Sequence, residues 1–177
     1  MPPSRMRSAL LALLTTLLLL APLGCQSDSG SSSSTADTSS TPTIPFDNEG
    51  QLVFLQDADS LVTIDIEVAD TDSARQRGMM EREGFPNPTS GMLFPFPEET
   101  QRSFWMANTP VALDLFFISA DSQIVHIAKY AKPVSSDNIP SQQPAKYVLE
   151  TPAGFADSYG VLEGDRVRWR RTDGGTP

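Results

Sequence analysis

The chain has 177 residues, with 22 acidic residues against 13 Lys and Arg and a formal net charge of −9 at pH 7. Such an acidic surface makes nucleic acid and anionic lipid headgroups poor partners, so we expect neither as a ligand. The single cysteine excludes an intramolecular disulfide framework, and the single histidine excludes a multi-histidine zinc site.

The N-terminal region has the pattern of an export signal. Arg5 and Arg7 precede an apolar run at 9–23, which has signal-peptide length and is too short for a permanent membrane-spanning helix. The run ends at a glycine followed by Cys25, which resembles the lipobox of bacterial lipoproteins. We therefore predict that residues 1–24 are a lipoprotein signal peptide and that Cys25 carries a lipid anchor. The protein is then expected at an extracytoplasmic membrane surface, on the periplasmic or outer-membrane face. The alternative is a plain secretory signal that leaves a free thiol.

The composition changes twice after the signal. Residues 25–45 are mostly Ser, Thr, Gly and Asp and are predicted to be a disordered tether, because they offer no apolar surface to bury. Residues 46–171 have the length of one ordinary domain. The last residues, 172–177, are predicted to be a disordered tail.

The sequence pattern of the domain predicts mainly short strands. Residues 61–68 alternate between apolar and polar side chains, which is typical of a half-buried strand. Further strand candidates are 91–96, 102–107, 112–119, 123–130, 146–151 and 166–170. A short helix is predicted at 72–80, where acidic and hydroxyl residues begin the segment, and a helical turn is predicted at 152–159. We therefore predict an all-β fold, a β sandwich or a small barrel, with one or two short helices.

Asp114 is the first candidate site residue. It lies in segment 112–119, whose two faces are both apolar, so we expect the strand to be covered on both sides and the carboxylate to be buried. A buried carboxylate needs a cation or several N–H donors. The expected partners are Arg75, Arg77 and Arg102. Such a pair is either the floor of an anion- or carboxylate-binding pocket or a structural link between helix and sheet.

Trp105 and Asn108 are the second group of candidates. Trp105 alternates with its neighbours, so its side chain is expected to point away from theirs. Facing outward, it would line a concave site for an apolar or sugar-like ligand. Facing inward, it would be the largest core side chain, the more common situation for an aromatic residue. Asn108 is predicted in a turn, with its amide bonded to local backbone. The candidate ligand-binding residues are Arg75, Arg77, Trp105, Asn108 and Asp114.

Metal and enzyme alternatives are less well supported by the residue pattern. Thioether and imidazole groups suit Cu(I), and the residues of these types in the domain are Met79, Met80, Met92, Met106 and His126. Methionine also fills gaps in cores, and these show no diagnostic spacing, so no resident metal or cofactor is predicted. Nucleophile-elbow, phosphate-loop and dinucleotide motifs are absent. Carboxylate chemistry through Asp57, Asp114, Glu150 or Asp165 stays open, although Glu150 also fits an edge salt link or cap.

Several motifs together resemble the DUF192 family. They are Arg75-Gln76-Arg77-Gly78-Met79-Met80 with Arg82, Gly91-Met92-Leu93-Phe94, Phe104-Trp105-Met106-Ala107-Asn108-Thr109, Leu113-Asp114, Tyr147-Val148-Leu149-Glu150, Ala153-Gly154, Gly160 and Gly164-Asp165. The resemblance implies a compact β-rich domain, often exported or lipid-anchored in bacteria, with no established reaction, ligand or catalytic residue. We therefore expect a non-catalytic, lipid-anchored module that binds a small molecule. The alternatives are an envelope protein that docks another protein, a carboxylate-dependent hydrolase, and a Cu(I)-binding protein.

Overall fold

A computed structural model describes residues 44–172 of the chain. The predicted signal peptide, the lipid site at Cys25, nearly all of the predicted tether and residues 173–177 lie outside the described residues, and they stay predictions. Within the described part, no helix is long and apolar enough to cross a membrane.

The described chain forms seven strands and two short helices. In chain order they are β1 (Gly50–Gln56), β2 (Asp59–Val68), α1 (Asp72–Arg77), β3 (Ser90–Phe104), β4 (Leu113–Ile118), β5 (Ile124–Ala131), β6 (Ile139–Pro152), α2 (Phe155–Tyr159) and β7 (Arg166–Arg171). The predicted β-rich fold with short helices is confirmed.

The strands form one mixed sheet in the order β5-β4-β6-β3-β2-β1-β7. Among the described strands, β2 and β3 are the only pair that runs in parallel. The two outer strands meet where β5 and β7 begin: Val167 N donates to Ser122 O at 2.9 Å, and Ile124 N donates to Asp165 O at 2.8 Å. These bonds join the sheet at one end into a partly open barrel, which is one of the two predicted architectures.

Strand β4 separates two apolar clusters, and all six of its residues are buried. Phe116 and Ile118 belong to an interior cluster that gathers residues from all seven strands. Leu115 and Phe117 point the other way, into an outer cluster with Met79 that lies on the opposite face of the sheet. The expectation that this strand is covered on both sides is therefore confirmed.

Helix α1 begins where it was predicted and ends earlier. Thr71 caps it, because its Oγ1 accepts a hydrogen bond from Ala74 N at 3.1 Å. The predicted end at Met80 is wrong, because Gly78 has a φ of 50° and turns the chain out of the helix. This turn places the segment after α1 against the sheet.

Candidate functional site

The end of α1 covers strands β3 and β6 closely. A Cβ at Gly78 would lie 3.2 Å from Phe94 Cζ on β3 and 3.8 Å from Glu150 Oε2 on β6. Beside this contact lies a cleft of about 680 Å³, a volume typical of small-molecule sites. The lining residues are Ser73, Arg75, Gln76, Arg77, Gly78, Met79, Met80, Glu81, Phe94, Phe96, Ser103, Phe104, Trp105, Thr109 and Glu150.

Trp105 stands at the rim of this cleft. Its exposed fraction is 58%, whereas Met106 beside it is 1% exposed and packs in the outer cluster. The alternative in which Trp105 is a core residue is therefore wrong. The alternation of side chains along this segment was predicted correctly. The outer cluster on this face of the sheet is already filled by Met79, Phe94 and Met106. Trp105 consequently faces outward and lines the concave surface.

Glu150 forms the base of the cleft and is the most unusual group in the described structure. It is 5% exposed, and its Oε2 is buried without a hydrogen-bond partner among residues 44–172. Burial raises the pKa of Glu150 to about 8, and the positive charge of Arg82 only partly opposes that rise. At pH 7 the carboxyl group is therefore mostly protonated, so it can donate a hydrogen bond as well as accept one.

The predicted explanation of Glu150 as an edge salt link or cap is wrong. Strand β6 lies between β3 and β4 in the sheet, so Glu150 is on a central strand. Its neighbours directly across the two ladders are Met92 and Leu115, both buried and apolar. The sequence signal that could have indicated burial of Glu150 is its position among apolar residues in a strand. The same kind of signal predicted that Asp114 is buried.

Arg82 is the nearest cation to Glu150 but is paired elsewhere. Its Nη2 lies 2.6 Å from Glu67 Oε1, and its Nη1 lies 2.8 Å from Glu67 Oε2. Glu67 and Glu150 flank Met92 on the same face of the sheet, one on β2 and one on β6. Because the two-pronged bond goes to Glu67, Glu150 keeps no direct salt bridge. The Arg82 Nε atom is also buried without a partner among the described residues.

The three arginines that were predicted to pair with Asp114 make different contacts. Arg75 is fully engaged: it donates to Asp72 Oδ1 at 2.6 Å and to Pro95 O at 3.1 Å, and its guanidinium lies 5.6 Å from the centre of the Phe96 ring. Arg102 lies 4.0 Å from the centre of the same ring. Arg77 is exposed and makes no hydrogen bond or salt bridge within the described part of the chain, although it lines the cleft. Of these three arginines, Arg77 is the one without a hydrogen-bond or salt-bridge partner among the described residues.

Asp114 is buried as expected but is not paired with an arginine. Its Oδ1 accepts a hydrogen bond from Tyr130 N at 2.8 Å, and its Oδ2 accepts one from Ala156 N at 3.0 Å. The pairing of β4 with β5 shifts register after Leu113, which frees the Tyr130 N–H from the ladder. The Ala156 N–H is free because it lies in the first turn of α2. The predicted arginine partners are wrong, and Asp114 is not among the residues that line the cleft.

Asn108 also lies outside the lining of the cleft. It contacts the segment after α1 through its backbone and not through its side chain. Asn108 has a φ of 52°, and its carbonyl accepts a hydrogen bond from Glu81 N at 2.8 Å, where Glu81 has a φ of 62°. Val134 has a φ of 54° and donates through its N–H to Thr109 O at 3.0 Å. The predicted bond from the Asn108 amide side chain to local backbone is not formed within the described residues. Left-handed conformations in non-glycine residues cost about 1–3 kcal/mol each and are concentrated at functional sites.

Three of the candidate Cu(I) ligands are core residues. Met79, Met92 and Met106 belong to the buried outer cluster, where they pack against aromatic and aliphatic side chains. His126 stacks on Phe117, and its Nδ1 lies 2.8 Å from Glu163 Oε1. In the range 44–172 no three His, Cys, Asp or Glu residues are grouped as metal ligands would be.

The sequence is similar to proteins from archaea. The family model DUF192, described as an uncharacterized ACR, matches residues 53–169. A UPF0127 protein of Thermococcus sibiricus is 31% identical over 106 residues, which cover 59% of this chain and 65% of that protein. A UPF0127 protein of Pyrococcus furiosus is 29% identical over 115 residues, which cover 62% of this chain and 90% of that protein.

The fold is similar to two solved bacterial structures. One, from Sinorhizobium meliloti, is described as a candidate transcription regulator; it has a TM-score of 0.66 and 33% identity and covers 71% of this chain and 96% of that chain. The other is a protein of unknown function from Novosphingobium aromaticivorans, with a TM-score of 0.64 and 28% identity, covering 67% of this chain and 84% of that chain.

Proposed function

The chain belongs to the DUF192 family, as its motifs predicted, and we propose that it is a non-catalytic module that binds a small, ring-bearing molecule in the cleft beside α1. The family itself is of uncharacterised function, so the proposal is supported by the geometry of the cleft. The proposed ligand-binding residues are Arg75, Arg77 and Trp105, which line the cleft, with Glu150 in place of Asp114.

The observation that carries the proposal is the unpaired carboxyl group of Glu150 at the base of an open cleft. Folded proteins pair nearly all of their buried polar atoms. Leaving one unpaired costs about 1–3 kcal/mol, so an unpaired buried carboxyl group requires an explanation. A hydrogen-bonding ligand that enters the cleft would supply the missing partner.

The rim of the cleft fits a ring-shaped ligand. Trp105 offers an exposed aromatic face, and Phe96, Phe104 and Met80 continue the apolar wall beside it. A rigid aromatic side chain gives a large contact area and loses little conformational entropy when a ligand stacks on it. The ligand is therefore expected to have a ring at one end and a hydrogen-bonding group at the other.

Binding is favoured over catalysis by the residue types in the cleft. Among the described residues, the lining of the cleft contains no His, Cys or Lys, and the Ser103 hydroxyl donates to Asn138 Oδ1 rather than to a base. An activated nucleophile therefore has no supporting group here. Hydrolysis by carboxyl groups is the second candidate, because Glu81 and the protonated Glu150 both line the cleft.

The location and partners of the module are proposed from the sequence. A lipid at Cys25 and the Ser-rich segment after it would hold the cleft outside the cytoplasm, close to a membrane surface. Docking of an envelope protein requires a broad apolar patch, whereas Trp105 borders a concavity. The regulator description of the Sinorhizobium meliloti protein is not extended to this chain, because a net charge of −9 opposes binding to DNA.

Tryptophan fluorescence tests the proposal directly, because the chain has only two tryptophans. In the full chain carrying Trp169→Phe, Trp105 is the sole reporter, and sugars, sugar acids and cyclic carboxylic acids are titrated against it. Binding predicts a saturable change in emission. The matched control is Trp105→Phe, in which Trp169 on β7, packed against Tyr147 on β6, should report no change.

Two results would count against the proposal. A flat Trp105 signal across the whole panel, together with no retained small molecule in native mass spectrometry of the protein extracted from its membrane, refutes ligand binding. Conversion of a titrated compound to a product, detected by its changed mass, supports the hydrolase instead.

A further inference from the structure

We propose that the ligand of the cleft is a ring-bearing monocarboxylate whose carboxylate lies between Glu150 and Arg77 while its ring stacks on Trp105. This inference rests on the proposed function and adds the chemical class of the ligand. It follows from the chemistry of Glu150 and Arg77, which together match one negative charge on a ligand.

Arg77 supplies the cation. It is exposed at the last position of α1 and lines both the main cleft and a second cleft of about 370 Å³ on the Glu67 side of α1. The chain contains 22 acidic residues and 13 basic ones, yet Arg77 makes no salt bridge within the described residues. Arg75, two residues earlier, is by contrast bound to Asp72. A free guanidinium beside a cleft matches a carboxylate, because its planar fork donates two parallel hydrogen bonds.

Glu150 supplies the hydrogen-bond donor. A protonated carboxyl group in an apolar site bonds most strongly to a charged acceptor, because O–H···O⁻ bonds are shorter than neutral ones. One such donor and one cation match a single negative charge. A phosphate dianion would bring a second negative charge into a cleft that Glu81 also lines, with no further free cation among the described lining residues.

The groups that surround Glu150 determine how binding depends on pH. Across β3 and β4 its direct neighbours are apolar. The nearest cation, Arg82, is bound to Glu67. The other charged groups of the lining are Arg75 and Arg77 from α1, of which Arg75 is bound to Asp72, and Glu81 from the loop after α1. When Glu150 loses its proton, its hydrogen bond to the ligand carboxylate is lost and the two carboxylates repel each other. Affinity for a carboxylate should fall as the pH rises above about 8.

The test compares acids with alcohols that have the same ring. Cyclohexanecarboxylate is paired with cyclohexylmethanol, and galacturonate is paired with galactose. Each is titrated into the full chain carrying Trp169→Phe, with Trp105 emission as the readout. We expect at least one acid to bind about tenfold more tightly than its alcohol at pH 7, which is the effect of one charge-assisted hydrogen bond.

Two variants assign the effect to the proposed groups. Arg77→Gln should weaken acid binding about tenfold and leave alcohol binding unchanged. Its matched control is Arg168→Gln, which removes an equally exposed charge from β7 and should change neither. Glu150→Gln should retain acid binding but lose its dependence on pH between 7 and 9, because the amide does not ionise.

The outcomes separate the ligand class from the function. If alcohols and acids bind equally, or if Arg77→Gln has no effect on acid binding, the carboxylate inference is refuted and the cleft remains a binding site for a neutral ligand. If neither member of either pair changes Trp105 emission at tens of millimolar, while a phosphorylated sugar does, the monocarboxylate class is refuted. If nothing in the wider panel binds either, the proposed function fails as well.

Discussion

Replacing Glu150 by Gln should stabilise the protein at neutral and alkaline pH and should change the way its stability depends on pH. The folded chain holds the Glu150 proton up to a pKa of about 8, whereas the ordinary value is 4.5. Between these values the folded state binds more protons than the unfolded state, so the free energy of unfolding decreases as the pH rises through this window. Below pH 4.5 the ionisation of Glu150 takes no stability from the folded state, and above pH 8 the loss of stability is complete.

The size of the effect follows from the width of that window. Each unit of pKa difference corresponds to about 1.4 kcal/mol, so the 3.5 units between 4.5 and 8 correspond to about 5 kcal/mol. Because Gln has nearly the same shape as the neutral carboxyl group and does not ionise, it avoids this penalty. Relative to wild type, Glu150→Gln should therefore gain about 3–5 kcal/mol between pH 4.5 and pH 8.5.

Urea denaturation of wild type and variant at several pH values measures this difference. The matched control is Glu83→Gln, which makes the same substitution at an exposed position. If the Glu150→Gln difference is the same at pH 5 and pH 8.5, then Glu150 is ionised in the folded protein. The protonated donor at the base of the cleft would then have to be abandoned.

Two further predictions concern the framework of the site. Asp114→Asn should destabilise the domain by about 2–3 kcal/mol in thermal or urea unfolding, because the amide has one accepting oxygen where the carboxylate oxygens accept two backbone N–H bonds. The exposed control Asp137→Asn should change the stability little. Equal melting temperatures for wild type and Asp114→Asn would contradict the role given to Asp114. Gly78→Ala should cost about 2 kcal/mol, since the methyl group would meet Phe94 at 3.2 Å and the φ is positive. Gly160→Ala has a positive φ but open space around it, so an equally large loss there would show that packing against Phe94 plays no part.

The sequence was most informative where one strand carries its own pattern. The alternation at 61–68 and the two apolar faces of 112–119 predicted β2 and β4 nearly at their observed bounds. Strand β1 was missed, although its Leu52 and Phe54 are fully buried, because its four apolar residues, 52–55, are consecutive and do not alternate with polar residues. Strand β3 was predicted as two strands because prolines interrupt it. In the structure Pro95 is paired with Tyr147, and Pro97 lies where the pairing with β6 shifts register between Pro95 and Thr100.

The site was predicted less completely than the fold, because its chemistry depends on register and on turns. Burial of Asp114 followed from its strand alone, whereas its partners come from a bulge at Tyr130 and from the start of α2. Glu150 was attributed to an edge because the sequence does not show that β6 is inserted between β3 and β4. The outward position of Trp105 likewise depends on which other side chains already fill the outer cluster.

The partner chosen by Arg82 explains why Glu150 can serve as a donor. Two carboxyl groups, Glu67 on β2 and Glu150 on β6, lie on either side of Met92, and one guanidinium lies close enough to influence both. Arg82 makes its two-pronged bond with Glu67. If the same bond were made with Glu150, the cation would favour the ionised form and the pKa would fall. The Arg82–Glu67 pair thus neutralises one carboxylate and leaves the other to burial, which keeps a proton at the base of the cleft at neutral pH.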